Sequence, residues 1–506
     1  MTESLPVDGS SLTLESFLAV VRGRCAVEPT AEALAAVREG RAAVERAVAA
    51  GRPVYGVTTG FGALAGTAVA PARAQELQLN LVRSHAAGTG PALPAELVRG
   101  LLLLRLNSLC RGLSGVRPEL PRLLADCLNQ GILPLVPEQG SVGASGDLAP
   151  LAHLALALIG EGSCVDRQGG IQPSREALEA AGLHPLQLAE KEGVALVNGT
   201  ALMTSYLALG VADGRELLSA CESAAAMAYD ALGGSLEPLD DRMQAARGLA
   251  EQRRVAERMR ERLAGSGLTS PVGAVHPQDP YTLRALPQVL GAVELALGWA
   301  EGLLATELNA VSDNPIVLPG DQFLSGANFH GQPLALALDT LAIGVQYVAG
   351  FSERRTARLL HPGLNGGLPA FLSPEPGTHS GYMIGQYLAS ALVVENAGLL
   401  HPASAFSLPT SADQEDYNSE GAWAGAKLRR ILENSRRVVA VEWLVAGRAL
   451  ELRRPKTGGR GSEAALRALR GLVPALDRDR PLAPDIERVA GAIADGTLLR
   501  RVRAQH

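Results

Sequence analysis

The chain has 506 residues, 47% of them hydrophobic, which is enough to bury a large core and to divide into more than one domain. Its formal net charge of -6 and its lack of a basic stripe argue against a nucleic acid partner. The five scattered cysteines form no C-x-x-C pair, and the first residues do not resemble a secretory signal. Because Arg105 interrupts the leucines at 101–104, we also expect no membrane partner, and we expect a reduced, cytoplasmic protein.

The first third of the chain predicts helices joined by loops that contain glycine and proline. Aromatic residues make up only 4%, alanine is abundant, and apolar residues recur at helical spacing. Three glycines place Tyr55 on a loop over residues 54–62, where it either packs in a tight turn or faces a site. His85, near the end of a predicted helix, is a packed or capping residue or a ligand contact. The predicted helices here cover residues 30–50, 72–82, 96–112 and 118–130.

The stretch from Gly140 to Pro150 offers unusual chemistry at Ala144-Ser145-Gly146. In a tight turn the Gly146 nitrogen can attack the Ala144 carbonyl with loss of water, and a second loss of water turns Ser145 into a dehydroalanine. The product is an electrophile that no standard side chain supplies, although such tripeptides also occur in ordinary loops. Residues 148–159 are apolar nearly all round, which predicts a buried helix whose amino terminus favours negative charge beside the turn.

The rest of the chain predicts a bundle of long helices. Residues 163–195 are polar and glycine-rich, which indicates a surface excursion. Asn198 then precedes a further apolar helix, either as a cap or as a residue whose amide faces a site. Such long helices, packed side by side, favour one bundle over several small domains. One later helix is predicted to end at Asp313, and a short terminal helix is predicted to begin at Ser462. Between them, three more helices are predicted over residues 333–360, 382–400 and 426–453.

Two polar clusters interrupt this helical plan. In the first, Tyr281 and Arg284 follow Gln278 and would share one face if their segment is helical. An arginine there can hold a carboxylate with two hydrogen bonds, or it can form a surface ion pair. In the second, Glu415 lies in a polar turn after Pro409. Its carboxylate can act as a base, bind a cationic ring or simply be solvated.

Several common catalytic motifs are missing from the sequence. Residues 143–146 lack the spacing of the G-x-S-x-G hydrolase elbow, and neither a phosphate-binding loop nor a dinucleotide-binding glycine motif is present. The nine histidines show no H-E-x-x-H pattern and no zinc-ligand spacing. We therefore predict no metal site and no external cofactor.

Three stretches together resemble the ammonia-lyase family that builds a methylideneimidazolone (MIO) group from Ala-Ser-Gly. They are Gly140 to Pro150, Glu307 to Pro315, and Gly326 to Gly331. The family includes histidine, phenylalanine and tyrosine ammonia-lyases and related aminomutases, and the resemblance extends from the Tyr55 loop to residues 482–487. It implies a mainly all-α, long-helix fold of the ammonia-lyase/fumarase type. A mixed region over residues 1–200 would carry the prosthetic group, and residues 201–506 would form the bundle and serve oligomerisation.

The resemblance favours histidine as the substrate. Ser84-His85 is similar to the pair of histidine-specific members, although some tyrosine aminomutases carry it too. Gln414-Glu415-Asp416 also resembles the histidine pattern, since a carboxylate can bind an imidazole. The expected reaction converts L-histidine to trans-urocanate and ammonia in histidine degradation. Four positions depart from the usual pattern, namely Thr58, Ala201, Ala285 and Tyr417, where asparagine, glutamine, cysteine and histidine are common.

The resemblance also implies a prosthetic group, an assembly and individual roles. The MIO group would form from Ala144-Ser145-Gly146, and the protein would be a homotetramer whose sites combine residues of more than one subunit. The alternatives are a phenylalanine or tyrosine ammonia-lyase, a tyrosine 2,3-aminomutase and an inactive helical scaffold. The implied roles are carboxylate binding by Arg284, imidazole binding by His85 and Glu415, polarisation of the ring carbonyl by Asn198, proton transfer by Tyr55 and Tyr281 with Glu415 as another candidate base, and contacts to the site by Gln278 and Phe329.

Overall fold

The computed structural model describes residues 4–166, 169–274 and 277–505. The chain folds into two compact units. Unit 1 comprises Met1–Leu209, Glu301–Asp339 and Pro402–Ala426, and unit 2 comprises Gly210–Ala300, Thr340–His401 and Lys427–His506. Within the described residues helices dominate and the strands are short, which confirms the predicted, mainly all-α fold class.

The helices carry most of the chain and are numbered in chain order. They are α1 (Leu14–Val21), α2 (Ala31–Ala49), α3 (Ala74–His85), α4 (Ala95–Cys110), α5 (Glu119–Gln130), α6 (Leu148–Leu158), α7 (Ser174–Ala180), α8 (Glu192–Val197), α9 (Ala201–Leu232), α10 (Asp241–Arg247), α11 (Ala250–Leu263), α12 (Tyr281–Arg284), α13 (Leu286–Glu307), α14 (Gln332–Leu360), α15 (Met383–Leu399), α16 (Gly421–Glu451), α17 (Arg460–Arg470), α18 (Ala483–Ala494) and α19 (Thr497–Arg503).

The strands form small two- or three-stranded sheets. β1 pairs with β2 in parallel, whereas β3 with β5, β4 with β6, β6 with β7, and β8 with β9 are antiparallel pairs. Their bounds are β1 (Ser4–Val7), β2 (Ala26–Pro29), β3 (Thr89–Ala92), β4 (Leu133–Pro134), β5 (Pro137–Gln139), β6 (Ser163–Val165), β7 (Ile171–Pro173), β8 (Ile316–Leu318) and β9 (Gln322–Leu324).

Local sequence signals account for several helix ends. Helix α2 begins after Thr30, whose side-chain oxygen accepts a hydrogen bond from the Ala33 N–H group at 3.1 Å. Helix α5 ends before Gly131, which adopts the left-handed backbone (φ 72°) that suits glycine. The predicted helices over residues 333–360 and 382–400 correspond to α14 and α15.

Unit 1 is built around helix α4, which is buried on nearly every face. Its leucines at 101–104 are all buried, and each contributes about 2 kcal/mol by leaving water. Helices α1, α2 and α5 pack against α4, while α3, α6 and α8 pack against one another. As predicted for residues 148–159, α6 is buried nearly all round. This packing fixes the turn that precedes α6 beside the ends of α3 and α8.

The predicted surface excursion over residues 163–195 is wrong for its last part. Lys191 and Glu192, at the start of α8, are both 0% exposed. Lys191 Nζ lies 2.7 Å from Asp313 Oδ2, and Glu192 Oε2 lies 2.8 Å from an Arg117 nitrogen. Charged residues indicate a surface when a sequence is read alone, but here each has an opposite charge that compensates for its burial.

Three long helices meet in the interior of unit 2. Arg355 on α14 pairs with Glu442 on α16, with 2.5 Å between Nε and Oε1. The same guanidinium donates a hydrogen bond to Cys221 Sγ on α9 at 3.3 Å. Trp443 on α16 donates from Nε1 to the Ala220 carbonyl on α9 at 2.9 Å. Long helices joined side by side in this way agree with the predicted bundle.

Helices of unit 2 expose apolar residues in the isolated chain. Leu295 and Trp299 on α13 are 50% and 45% exposed, and Tyr387 and Val394 on α15 are 62% and 71% exposed. Among the described residues, α13, α14 and Met383–Ala405 are also long and apolar enough to cross a membrane by length and composition alone.

Candidate active site

The segment Ala144-Ser145-Gly146 forms a tight turn directly before helix α6. Ser145 and Gly146 both adopt left-handed backbone conformations, with φ angles of 48° and 80°. This region costs a residue with a side chain roughly 1 kcal/mol or more, so the surrounding structure must hold Ser145 there. The Gly146 N–H group points back toward the Gly143 carbonyl, at 3.4 Å. The backbone is therefore compact where the cyclisation chemistry requires it to be.

A short segment after α8 lies along this turn. The Gly199 N–H group donates to the Ser145 carbonyl at 3.2 Å, and the Asp147 N–H group donates to the Gly199 carbonyl at 2.7 Å. A Cβ atom on Gly146 would lie only 2.1 Å from the Gly199 oxygen. Only glycine therefore permits this close approach of the two backbones.

Asp147 connects the turn to the start of helix α9. Its Oδ2 accepts hydrogen bonds from the backbone N–H groups of Leu202 at 2.7 Å and Met203 at 3.2 Å. Its Oδ1 is buried and has no hydrogen-bond partner among the described residues. Burial raises the pKa of Asp147 to about 7, and the two N–H donors oppose this rise.

A cavity of about 440 Å³ opens beside the turn in unit 1, and we call it the Ser145 cavity. It brings together residues that lie far apart in the sequence, including four that were predicted as site residues in addition to Ser145. Its lining consists of Tyr55, Phe61, Gly62, Ala63, Leu64, Leu81, His85, Ser145, Leu148, Val194, Val197, Asn198, Ser411, Ala412 and Glu415.

Tyr55 lies on the predicted loop and lines the Ser145 cavity. Its phenol oxygen accepts a hydrogen bond from the Gly62 N–H group at 2.9 Å, which orients the ring. Thr58, where asparagine was the usual residue, shapes the same loop. Its hydroxyl donates to the Arg52 carbonyl at 2.7 Å and accepts from the Val54 N–H group at 2.8 Å. The threonine at this position therefore closes the turn that presents Tyr55.

His85 is the last residue of α3, and its ring lines the cavity. Nδ1 lies 2.9 Å from the Leu81 carbonyl oxygen, which can only accept, so Nδ1 carries the proton in the neutral ring. Nε2 is then left as an acceptor. Burial lowers the pKa of His85, while the Leu81 carbonyl and the charge of Glu415 oppose this. The ring also contacts Phe61 edge-on, with 5.8 Å between the ring centroids.

Glu415 is half-buried in the polar turn and lines the same cavity. Its Oε2 accepts a hydrogen bond from Thr410 Oγ1 at 3.0 Å. The backbones of the two residues also bond to each other, at 2.9 Å and 3.3 Å, which holds the turn together. Tyr417, a departure from the usual pattern, is exposed and stacks on His330 with 6.3 Å between the ring centroids.

Asn198 is buried at the end of α8 and lines the cavity. Its Nδ2 donates to the Asn314 carbonyl at 3.1 Å, and its Oδ1 has no partner among the described residues. Its backbone carbonyl accepts a hydrogen bond from Arg105 Nη1 at 2.5 Å. Arg105 was not predicted as a site residue, although an arginine within a run of leucines indicates a buried charge that needs a specific partner.

Three further predicted residues line a second cavity, of about 320 Å³, in unit 2. Gln278 and Tyr281 are exposed, and Arg284 is half-buried. Tyr281 and Arg284 share a helical face as expected, and the guanidinium lies over the Tyr281 ring, 4.6 Å from its centroid. Arg284 Nε is buried without a hydrogen-bond partner among the described residues. Ala285, where cysteine was usual, lines the same cavity.

Phe329 is half-buried on the segment between β9 and α14 in unit 1. The next residue, His330, bonds through Nε2 to the Tyr417 carbonyl at 3.0 Å. Among the described residues that line the two cavities, Phe329 does not appear. Within one chain, the predicted site residues therefore fall into the set around Ser145, the set around Arg284, and Phe329.

The residues around the turn fit an MIO group made from Ala144-Ser145-Gly146. The left-handed backbone brings the reacting peptides close together, and Gly199 supplies a hydrogen-bond donor to the Ser145 carbonyl. Asp147 Oδ1 and Asn198 Oδ1 are buried and have no hydrogen-bond partner among the described residues, which is unusual for polar atoms. Both side chains are therefore available to interact with a modified form of the turn, such as an MIO group. Among the described residues, no group of three or more His, Cys, Asp or Glu side chains could hold a metal ion.

Comparison with known proteins identifies the family. A sequence profile described as aromatic amino acid lyase matches residues 12–471. The chain belongs to the aromatic amino acid lyase family. It is 48% identical to the histidine ammonia-lyase of Symbiobacterium thermophilum over 497 aligned residues, and the aligned region covers 98% of each chain.

Solved structures of other family members share the fold. The tyrosine aminomutase of Streptomyces globisporus has a TM-score of 0.94 at 38% identity and covers 99% of both chains. The histidine ammonia-lyase of Trypanosoma cruzi has a TM-score of 0.92 at 37% identity and covers 99% of this chain and 95% of its own. The family thus includes proteins named as lyases and as aminomutases. A small amino acid is the substrate class that family membership implies.

Proposed function

We propose that the chain is a histidine ammonia-lyase, which converts L-histidine to trans-urocanate and ammonia in histidine degradation. The observation that carries this proposal is that Ser145, His85 and Glu415 line one cavity. The 48% identity to a relative named for this activity, over 98% of each chain, supports it.

The polar groups of the Ser145 cavity favour an imidazole ring. His85 Nε2 and the Glu415 carboxylate are both hydrogen-bond acceptors, and the protonated ring of histidine, an imidazolium, has two N–H groups that can donate to both of them. A phenyl ring has no donor, so it would displace water from His85 Nε2 and from the free oxygen of Glu415 without replacing those hydrogen bonds, at a cost of up to about 1–3 kcal/mol for each. The cavity therefore suits histidine better than phenylalanine.

The MIO group that we expect from Ala144-Ser145-Gly146 would supply an electrophile for the substrate amine. Asn198, through its position beside the turn, would polarise the ring carbonyl. Tyr55 would transfer a proton, because its phenol lines the cavity and the Gly62 N–H group already orients its oxygen. Glu415 is a second candidate for the base that removes the β-hydrogen.

The remaining roles belong to residues outside the lining of the Ser145 cavity. Arg284 would bind the substrate carboxylate, and two observations support this role: it lines the unit 2 cavity, and its Nε has no hydrogen-bond partner among the described residues. Tyr281, held against Arg284, would transfer a second proton. Gln278 and Phe329 would contact the substrate or the MIO group.

We further propose that the enzyme is a cytoplasmic homotetramer with shared active sites and no external cofactor. The exposed apolar side chains of α13 and α15 support subunit contacts, since exposed apolar surface of this kind often marks an interaction site. In this arrangement residues 201–506 form the oligomerisation region, and Gln278, Tyr281, Arg284 and Phe329 of other subunits complete the Ser145 cavity.

A tyrosine 2,3-aminomutase is the second candidate. The structural similarity to the tyrosine aminomutase of Streptomyces globisporus favours it, with a TM-score of 0.94. A phenol O–H group can also donate to one of the two acceptors, His85 or Glu415. It would leave the other acceptor unpaired, which makes this substrate the less favourable one.

A substrate screen with the purified full-length chain tests the proposal. The chain is mixed separately with L-histidine, L-tyrosine and L-phenylalanine, and the ultraviolet absorbance of the corresponding alkenoate is followed. Mass spectrometry of the products detects any β-amino acid, and intact-mass analysis of the protein detects the loss of two waters.

Growth of the urocanate signal, together with the two-water deficit, is the expected result. Coumarate or cinnamate without urocanate would overturn the assignment to histidine in favour of another lyase. A β-tyrosine product would identify an aminomutase. A chain that retains both waters and turns over none of the three amino acids would be the inactive scaffold.

A further inference from the structure

Arg105 is a buried cation behind the turn, and none of the roles proposed above uses it. It lies on α4 and is 1% exposed. Its Nη1 donates to the Asn198 carbonyl at 2.5 Å and its Nη2 donates to Ser108 Oγ at 3.3 Å. Its Nε has no hydrogen-bond partner among the described residues. Burying a guanidinium in an apolar helix is costly, so this placement requires a physical reason.

The carbonyl that Arg105 contacts belongs to a peptide that also contacts the turn. At its oxygen, the Asn198–Gly199 peptide accepts the hydrogen bond from Arg105. At its nitrogen, the same peptide donates to the Ser145 carbonyl at 3.2 Å. Hydrogen bonds in such a chain polarise one another, and a charged donor strengthens the chain. The charge of Arg105 is thus transmitted through one peptide to the Ser145 oxygen.

The packing around Gly199 leaves little freedom for this chain of contacts. A Cβ atom on Gly199 would lie 2.6 Å from Arg105 Nη1 and 2.7 Å from Ser312 Oγ. The Thr200 N–H group donates to the same Ser312 oxygen at 3.2 Å. Residues 198–200 are therefore held between the turn on one side and Arg105 with Ser312 on the other.

The neighbouring charges do not neutralise Arg105 by direct pairing. Asp313, 1% exposed, supports the positive charge of Arg105 against the effect of burial. Its Oδ2, however, accepts a hydrogen bond from the buried Lys191 Nζ at 2.7 Å, and its Oδ1 accepts from the Asn314 N–H group at 2.7 Å. The single carboxylate of Asp313 thus faces two buried cations, Lys191 and Arg105. A net positive charge therefore remains next to the Asn198–Gly199 peptide.

We propose that Arg105 is a positioning residue that makes the Ser145 carbonyl oxygen a better acceptor of negative charge, through the Asn198–Gly199 peptide. The inference rests on the proposed function, because this carbonyl would become the ring carbonyl of the MIO group. Electron density brought by an adding nucleophile collects in part on that oxygen, and donors aimed at it favour the addition.

Two variants of Arg105 separate the charge from the hydrogen bond. Arg105→Lys keeps a positive charge, whereas Arg105→Gln keeps only a neutral donor. Arg355→Lys is the matched control, because Arg355 is also fully buried but contacts Glu442 and Cys221 instead. For each purified full-length chain, intact mass reports the two-water deficit, circular dichroism reports folding, and the rate at which cyanide adds to the protein reports its electrophilicity without the substrate.

We expect Arg105→Gln to fold, to keep the deficit and to take up cyanide about tenfold more slowly than the wild type. Its kcat for histidine should fall by a similar factor while KM changes little. Arg105→Lys should recover most of both rates. Arg355→Lys should lower thermal stability and leave the cyanide rate within about twofold of the wild type.

A folded Arg105→Gln chain with the deficit and a wild-type cyanide rate would overturn the inference. So would a folded Arg105→Gln chain without the deficit, because it would assign Arg105 to formation of the group. If neither Arg105→Gln nor Arg105→Lys folds, Arg105 is structural and the inference is also wrong. A wild-type chain that takes up cyanide but does not turn over histidine would contradict the proposed substrate alone, and a wild-type chain without the deficit would contradict both.

Discussion

At the scale of single residues, the Ser145 cavity is defined by which side chains can accept a hydrogen bond. Because the Leu81 carbonyl fixes the His85 proton on Nδ1, Nε2 is the acceptor. Thr410 occupies one oxygen of Glu415, which leaves Oε1 able to accept from a ligand. If these acceptors bind the substrate ring as proposed, we expect Leu81 and Thr410, which orient them, to affect specificity as well.

Replacing Glu415 should separate substrate binding from formation of the MIO group. We expect Glu415→Gln to lower kcat/KM for L-histidine by about 100-fold, since a charged hydrogen-bond acceptor is lost. The two-water mass deficit should not change. Asp416→Asn, which alters the exposed neighbouring carboxylate, should stay within about twofold of the wild type in the same urocanate assay. Equal losses in both variants would show that general surface charge, and not Glu415, matters.

Thr410 tests whether the orientation of Glu415 contributes. Thr410→Val removes the hydroxyl that donates to Oε2 and keeps the shape of the side chain. The expected result is a kcat/KM for histidine lowered about five- to tenfold, the usual effect of one neutral hydrogen bond. Thr410→Ser keeps the hydroxyl and should retain most of the activity. The idea fails if valine and serine behave alike.

His85 predicts a particular dependence of stability on pH. Burial lowers its pKa in the folded state, so the fold favours the neutral ring. The resulting stability is fully present above the unfolded pKa of about 6.5 and is lost as pH falls through the lower folded pKa. Urea denaturation at pH 7.5 and pH 5 should therefore show a larger loss of stability in the wild type than in His85→Gln. Equal losses would contradict this assignment.

The sequence was sufficient to propose four side chains that line the Ser145 cavity beside Ser145 itself, but not its apolar lining or the residues that support the site. Tyr55, His85, Asn198 and Glu415 belong to motifs, and motifs are visible without a structure. Arg105 supports the site through backbone contacts made 93 positions away along the chain. Such contacts leave no local pattern, because any helix with a suitable position could supply the donor.

At the scale of secondary structure elements, periodicity located the long helices well and the short strands not at all. A helix such as α14 repeats its pattern over many turns, so its bounds are well determined by the sequence. β4 has two residues and pairs with β6, which lies about thirty residues later in the chain. A strand of that length contains no period, and its partner is fixed only by the packing of the helices around it.

Residues 198–200 run along the turn and hydrogen-bond to it through the backbone of Gly199. Gly199→Ala would place a Cβ atom against Arg105 and Ser312 and force this segment away from Ser145. We expect a destabilisation of about 1–3 kcal/mol and activity at least 100-fold lower. Gly182→Ala is the control, since Gly182 also has a positive φ of 71° but nothing within 4 Å of its Cβ position. A thermal melt and the urocanate assay compare them, and similar activities would refute the role of this pairing.

At the scale of the whole molecule, the candidate site is divided. The residues that would recognise the ring line a cavity in unit 1, and those that would bind the carboxylate line a cavity in unit 2. An amino acid carries both groups within a few ångströms, so the proposed reaction requires both sets of residues around one ligand. In the proposed homotetramer, the exposed apolar side chains of α13 and α15 are where we expect the subunits to contact one another.

Mixed oligomers test whether different subunits supply the two sets. Glu415→Gln and Arg284→Met chains, each nearly inactive alone, are co-expressed with different tags and purified through both. If each site takes Glu415 from one subunit and Arg284 from another, roughly a quarter of the sites in randomly assembled oligomers have both native residues and should be active. The control co-expresses Glu415→Gln with itself, one copy under each tag, and should show no recovery of activity. If both residues come from the same chain, every site carries one defect, and the mixed oligomers should be as inactive as their parents.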